Sequence, residues 1–288
     1  MTMSTRCCFA VVSLGLFLHS LNAAAADRLA WTGAVTQVEG SAGGGLVPWA
    51  LISGLETADQ VGGSAFYSYV HTADFALRTG GISVGLYDRV EISMARQRFD
   101  AGSVIPGLEL GQDVLGLKLR VAGDAVFAPD RWLPQIAVGV QGKRTMDFDQ
   151  IPKAVGAHKA EDLEFYVAAT KLYFSAIGGR NVVLNGTLRR TRANQFGLLG
   201  FGGDRRAGYR LLPEVSAAVL VTEKVLLGAE WRMKPNNLGA FSEDSAKDVF
   251  IAWNPTKMVS ATLAWVDVGR IAGKSAQRGA YASIWFGF

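Results

Sequence analysis

The chain almost lacks cysteine. Its two cysteines, Cys7 and Cys8, stand side by side near the start. They precede an apolar run rather than end it, so they make no lipoprotein site. Long apolar runs are missing as well. No later segment has about 18 uninterrupted apolar residues, which excludes a transmembrane helix. Charge of one sign is scarce: the formal net charge is only +4, too balanced for a nucleic-acid partner. Histidine is rare, with three in all.

What is present begins with a leader. Arg6 supplies a positive start, the run from Cys7 to about Leu18 is apolar, and Ala24-Ala25-Ala26 offers a small-residue cleavage site. Residues 1–26 therefore read as a secretory signal peptide removed on export. Both cysteines leave with it. An exported chain without disulfides needs a large core or a membrane for its stability. Apolar residues make up 49% and there are 34 glycines. That combination, without a long apolar run, fits a β-barrel of the bacterial outer membrane.

From about residue 64 the apolar period is two. Leu115, Leu117, Leu119 and Val121 fall on one face, with Lys118 and Arg120 on the other. Val225, Leu227, Ala229, Trp231 and Met233 alternate with Glu230, Arg232 and Lys234. The alternation predicts strands near 64–73, 75–87, 89–99, 111–122, 132–145, 161–175, 181–194, 208–221, 225–234, 246–253, 257–267 and 278–288. That is about twelve, in an all-β, antiparallel transmembrane barrel. Tight connections at 87–89, 177–180, 222–224 and 254–257 alternate with longer ones at 146–160, 195–207, 235–245 and 268–277. Short turns on one side of the membrane and long loops on the other are a barrel habit. The connection at 123–131 is longer than its side predicts. Tyr87, Trp132, Tyr173, Trp253 and Phe286 fall near the short-turn ends, and Tyr209, Trp231 and Trp265 near the long-loop ends, as two interfacial girdles.

The last strand, AYASIWFGF, places Ile284, Phe286 and Phe288 on one face. An apolar closing strand ending in Phe resembles the C-terminal signature of bacterial outer-membrane barrels. The resemblance implies that Ile284, Phe286 and Phe288 are an assembly signal read by the barrel assembly machinery.

Residues 27–62 do not read as a clean strand. Gly40, Gly43, Gly44 and Gly45 make the backbone permissive, Pro48 lacks a ladder donor, and Trp49, Leu51 and Ile52 call for burial. Three readings fit: a plug inside the barrel, a linker docked beneath it, or an additional strand at 46–53. The motif EGSAGGGLVPWALI at 39–52, followed by a barrel-like chain, resembles a proteobacterial family of outer-membrane barrels catalogued as a domain of unknown function. The resemblance implies architecture and location, and carries no activity or site residues. The organisation is then a leader at 1–26, a plug or linker at 27–62 and a barrel at 63–288.

Catalytic and metal chemistry find little footing. His71 lacks the His-x-Ser spacing of barrel enzymes that cleave lipids, and His158 lies in a loop. No Cys or His cluster is present, and Asp147 and Asp149 lack the rest of a calcium loop. No catalytic residue, metal or cofactor is assigned. Parity does assign charges. Glu91, Lys118, Arg120, Lys143, Glu164, Arg189, Glu214, Glu230 and Arg232 fall on the lumen face, where charge escapes lipid. Arg96, Arg98, Arg144, Arg190 and Arg192 continue the outward parity toward the long-loop ends. There they suit the phosphates of lipopolysaccharide, since a guanidinium pairs with phosphate through two donors. The expected partners are outer-membrane lipid, lipopolysaccharide and the assembly machinery. Oligomeric state stays open, because lipid-facing and subunit-facing residues are alike in composition. The leading reading is a narrow passive channel for small solutes. A closed structural barrel and a lipid-modifying enzyme are the alternatives.

Overall fold

A computed structural model describes Trp31 and residues 35–288. The leader and its cleavage site lie outside the described residues. Twelve strands close into one antiparallel barrel: β1 (Val61–Thr72), β2 (Ala76–Leu86), β3 (Val90–Asp100), β4 (Glu109–Ala122), β5 (Gln135–Thr145), β7 (Glu161–Ile177), β8 (Arg180–Thr191), β10 (Arg210–Thr222), β11 (Val225–Arg232), β12 (Ala246–Thr256), β13 (Val259–Asp267) and β14 (Arg278–Gly287). Two three-residue strands, β6 (Ala157–Lys159) and β9 (Phe201–Gly203), pair with each other in the long loops. β14 pairs with β1 from Ser64↔Gly287 to Thr72↔Gly279, which closes the barrel and leaves it no edge strand.

Alternation decides which way the wall faces. Leu115, Leu263 and Trp265 point outward at 61, 61 and 63% exposure, within a belt of Leu, Ile, Val and aromatic side chains. Such a belt is far larger than the apolar patches a water-soluble monomer exposes, so its solvent is lipid. Inward positions mix polar side chains, among them Ser64, Ser68, Gln97, Gln112 and Gln141, with apolar ones such as Phe66, Val114, Leu226 and Phe250.

Turns set the register. Leu86-Tyr87-Asp88-Arg89 closes with an Arg89 N–H to Leu86 carbonyl bond of 2.9 Å, and Tyr87 and Asp88 both have positive φ. Gly178 and Gly179 do the same between β7 and β8. Two consecutive positive φ values match the right-handed twist of a hairpin. Trp132 lies ahead of β5 rather than in it, because Pro134 has no ladder donor. The long 123–134 connection folds back under the barrel. The Leu172 N–H donates to the Ala125 carbonyl at 2.9 Å, and Ala125 is buried. At the opposite end β6 and β9 tie two long loops together over a small core of Leu110, Ala157, Leu199 and Leu238.

Candidate functional site: the occupied lumen

Residues 35–56 run through the inside of the barrel. The segment folds on itself through bridges Thr36↔Ala42 and Gly43↔Pro48. Side chains of the wall meet several of its other backbone groups. Gln97 Nε2 and Thr79 Oγ1 donate to the Val38 carbonyl at 2.8 and 3.0 Å. The Ala50 N–H donates to Thr170 Oγ1 at 2.8 Å, and Gln135 Nε2 donates to the Ala50 carbonyl at 2.7 Å. Thr187 Oγ1 donates to the Pro48 carbonyl at 2.8 Å. A non-strand backbone is tolerable at membrane depth only when its polar groups are satisfied in this way.

Glycine makes the approach close. A Cβ on Gly44 would overlap the Glu230 carboxylate, and one on Gly43 would strike the Val47 carbonyl. Glu230 instead accepts the Leu46 N–H at 2.6 Å and the Ser216 hydroxyl at 2.6 Å. On the wall, Gly139 leaves room for the Tyr166 ring, whose hydroxyl lies 3.1 Å from Ser41 Oγ.

Charge joins the two parts. Glu39 of the segment lies 2.6 Å from Lys143 Nζ, 3.0 Å from Arg232 Nη2 and 3.8 Å from Arg189 Nη1. Lys143 also pairs with Glu164 at 2.6 Å, Arg189 with Glu214 at 2.6 Å, and Arg232 with Glu214 at 3.3 Å. Three acids and three bases thus form one buried, balanced group. Three cations surround the Glu39 carboxylate and offset the cost of burying it. A second knot uses Glu91 and Lys118, 3.1 Å apart. Glu91 accepts the Ser41 hydroxyl and the Ala42 and Ser53 N–H groups, and Lys118 donates to the Ala42 and Leu51 carbonyls.

Eight of the nine predicted lumen residues therefore lie inside the barrel. Arg120 differs. It keeps the inward parity but stands half-buried at the short-turn mouth, where it binds Asp88, Asp124 and the Gly123 carbonyl. Those partners hold the turn, and Arg120 is a mouth clamp rather than a lumen charge. Glu39 went unassigned in the sequence reading because the Gly-rich segment has no period from which to read a face. Asp248, inward on β12 opposite Glu230, went unassigned as well.

The predicted phosphate-binding arginines all point outward near the long-loop end, and most meet carboxylates. Arg96 lies against Asp113 through two bonds of 2.7 and 2.9 Å, Arg98 against Glu109 at 3.8 Å, and Arg144 against Glu161 at 3.9 Å. Arg192 pairs with Asp162. Arg190 stacks over the Tyr209 ring at 3.9 Å, and among the described residues no carboxylate pairs with it. In the closing strand, Ile284 and Phe286 are outward. Phe288 follows β14, its N–H donating to the Gly63 carbonyl at 3.0 Å and its ring covering Gly63. His71 is outward beside Tyr69, and His158 is exposed on β6.

Long loops cover the outer mouth. Lys234 Nζ donates to Gln195 Oε1 at 3.0 Å and to the Val268 carbonyl at 2.9 Å, while Glu243 accepts the Gln195 N–H at 3.0 Å. This buried group joins the 192–209, 233–245 and 268–277 connections. Burial pushes the Glu243 carboxyl up to about 7, and the distant Lys234 only partly opposes it.

Among solved structures the chain is similar to a KdgM porin, at 10% identity and a TM-score of 0.47, with 78% of this chain and 99% of that chain covered. It is similar to the NanC porin at 9% identity and a TM-score of 0.46, covering 78% and 98%. It is also similar to the outer-membrane protein Omp33 of Acinetobacter baumannii at 10% identity and a TM-score of 0.45, covering 80% and 98%. No curated protein matches the chain. The family described as protein of unknown function DUF3034 matches residues 32–285, and the chain belongs to that family.

Proposed function

We propose that the protein is an outer-membrane barrel and a narrow passive channel for small solutes, held shut by its N-terminal segment in the arrangement described above. The way the segment is held carries this reading. Residues 35–56 meet the wall through ion pairs, side-chain hydrogen bonds and apolar packing of Leu46, Trp49 and Leu55, and none of them adds to the barrel ladder. Such a segment can leave without unravelling a strand. Its departure would uncover Lys118, Lys143, Arg189 and Arg232 facing Glu91, Glu164, Glu214 and Glu230, a lumen of mixed charge. The test is conductance of the refolded mature chain in a planar bilayer, beside a version lacking residues 27–62. Openings in the shortened protein, with rare openings in the full one, are expected.

The balanced group around Glu39 favours a second reading, a closed barrel with a structural role. Silence from both proteins, with folding verified by heat-modifiable gel mobility, would select it. A lipid-modifying activity draws no support from the histidines: His71 faces Ala76 and Ala280 across its strand pairs rather than a hydroxyl nucleophile, and His158 is exposed on β6.

The outward arginines support lipopolysaccharide as a partner, with Arg190 as the principal phosphate ligand. The apolar closing strand supports recognition by the assembly machinery. Deleting Phe288 should slow the appearance of the folded form in cells, and an unchanged rate would remove that role.

A further inference from the structure

An apolar chamber lies inside the barrel between the N-terminal segment and the outer loops. Its volume is about 80 Å³. Val38 and Leu46 of the segment line one side, Phe75 and Phe99 a second, and Phe196 and Leu198 of the 192–209 connection a third. The Phe75 and Phe99 rings stack at 5.3 Å. The segment fills other apolar stretches of the inner wall, Trp49 and Leu51 against Leu226 and Phe250, and Leu55 against Phe66 and Trp285, whereas the Phe75–Phe99 stretch is left with open space.

Three polar side chains reach the chamber, and protein partners already engage each of them. Thr72 Oγ1 donates to Gln277 at 3.0 Å. Gln195 donates to the Arg270 carbonyl at 2.7 Å and accepts from Lys234 at 3.0 Å. The Tyr281 hydroxyl lies 3.3 Å from Ser68 Oγ. A sugar, amino acid or ion entering here would lose its water and find no replacement bond. An apolar group loses nothing, and dry cavities lined by carbon do take up small apolar molecules.

The 192–209 connection is held under tension where it meets the chamber. Gln195 and Phe196 have φ of 45° and 61°, a region that costs energy for side chains of their size. That backbone aims the Phe196 ring between the chamber and the cations Arg232, 4.4 Å away, and Lys234, 5.5 Å away. The ring keeps the chamber apolar by shielding it from those charges.

We propose that this chamber is a binding site for a small hydrocarbon group, a short alkyl chain or a compact apolar ring, admitted from the outer side when the 192–209 connection moves. As a statement about what the channel admits, it rests on the channel reading; as a binding site, it stands apart from it. The test is photolabelling of the full mature protein in lipid nanodiscs with a short dialkyl diazirine, mapped by mass spectrometry. Label on Phe75, Phe99 and Phe196, lost with excess pentane and lost in Val70→Phe, which fills the chamber from an inward position of β1, is expected. Val266→Phe repeats the filling from β13 should Val70→Phe fail to fold. Label confined to outward residues such as Leu115 and Leu263, or inner label that pentane leaves unchanged, would overturn the proposal. A labelled chamber in a protein that never conducts removes the channel reading alone. An unlabelled chamber in a conducting protein removes the site alone.

Discussion

Glu39 Oε1 lies 2.6 Å from Lys143 Nζ, across 104 residues of chain, with both side chains fully buried. The pair joins a segment with no strand of its own to the barrel wall. Removing its negative charge leaves Lys143, Arg189 and Arg232 facing only Glu164 and Glu214. Breaking one side of a buried pair costs about 3–5 kcal/mol. Glu39→Gln should release residues 35–56 without unfolding the barrel. Faster hydrogen exchange in that segment, with unchanged heat-modifiable mobility, is the expected result, and Glu39→Asp should lie between the two.

Gly44→Ala reaches the same state by a steric route. Its methyl would overlap the Glu230 carboxylate that accepts the Leu46 N–H. Limited proteolysis should cut the segment in this variant and spare it in the parent. Equal resistance would mean that Glu230 moves aside.

Asp248 should respond in the opposite direction. It faces Glu230 across the β11–β12 pair, and among the described residues neither has an ion-pair partner. Asp248 Oδ1 is buried and accepts no hydrogen bond. Asp248→Asn keeps the shape and removes the like charge. A gain of about 1–4 kcal/mol in urea unfolding from liposomes is expected, the scale of the repulsion between two unit charges about 4 Å apart at dielectrics between water and a protein surface.

Glu243 predicts a pH dependence of the outer loops. Its folded pKa, about 7, stands above the ordinary carboxylate value of 4.5 because of burial. The folded state then binds more protons than the unfolded state between those values, so stability falls as pH rises through that window and levels off beyond it. After correction for intrinsic rates, hydrogen exchange in 192–209 should be slower at pH 5 than at pH 8. Glu243→Gln should flatten the difference.

Arg190 and Arg96 separate free cations from paired ones on the outer rim. Asp113 already engages Arg96 through Nε and Nη2, while among the described residues Arg190 has only the Tyr209 ring. Lipopolysaccharide retained through purification should drop in Arg190→Ala and change little in Arg96→Ala. Equal losses would place the phosphate contact elsewhere.

The twelve barrel strands were legible in the chain because lipid outside and polar groups inside impose a period of two on every strand. Leu115, Leu117 and Leu119 show this against Lys118, and the same parity put Lys143, Arg189 and Glu214 indoors. β6 and β9 were not legible, since three residues are too few to display a period. Arg120 has the parity of a lumen residue, and only its height on the wall made it a mouth clamp. Arg96 and Arg144 read as free cations, and only the register that sets Asp113 opposite Arg96 and Glu161 opposite Arg144 gave them carboxylates.

What the amino-acid order determined by itself was the barrel, because alternation is a local property that each strand carries alone. What the tertiary structure decided was the state of the lumen. Glu39 meets Lys143, and Gly44 meets Glu230, only after twelve strands have closed around the segment. Contacts between side chains so distant along the chain depend on strand register and barrel closure, and no local pattern encodes them.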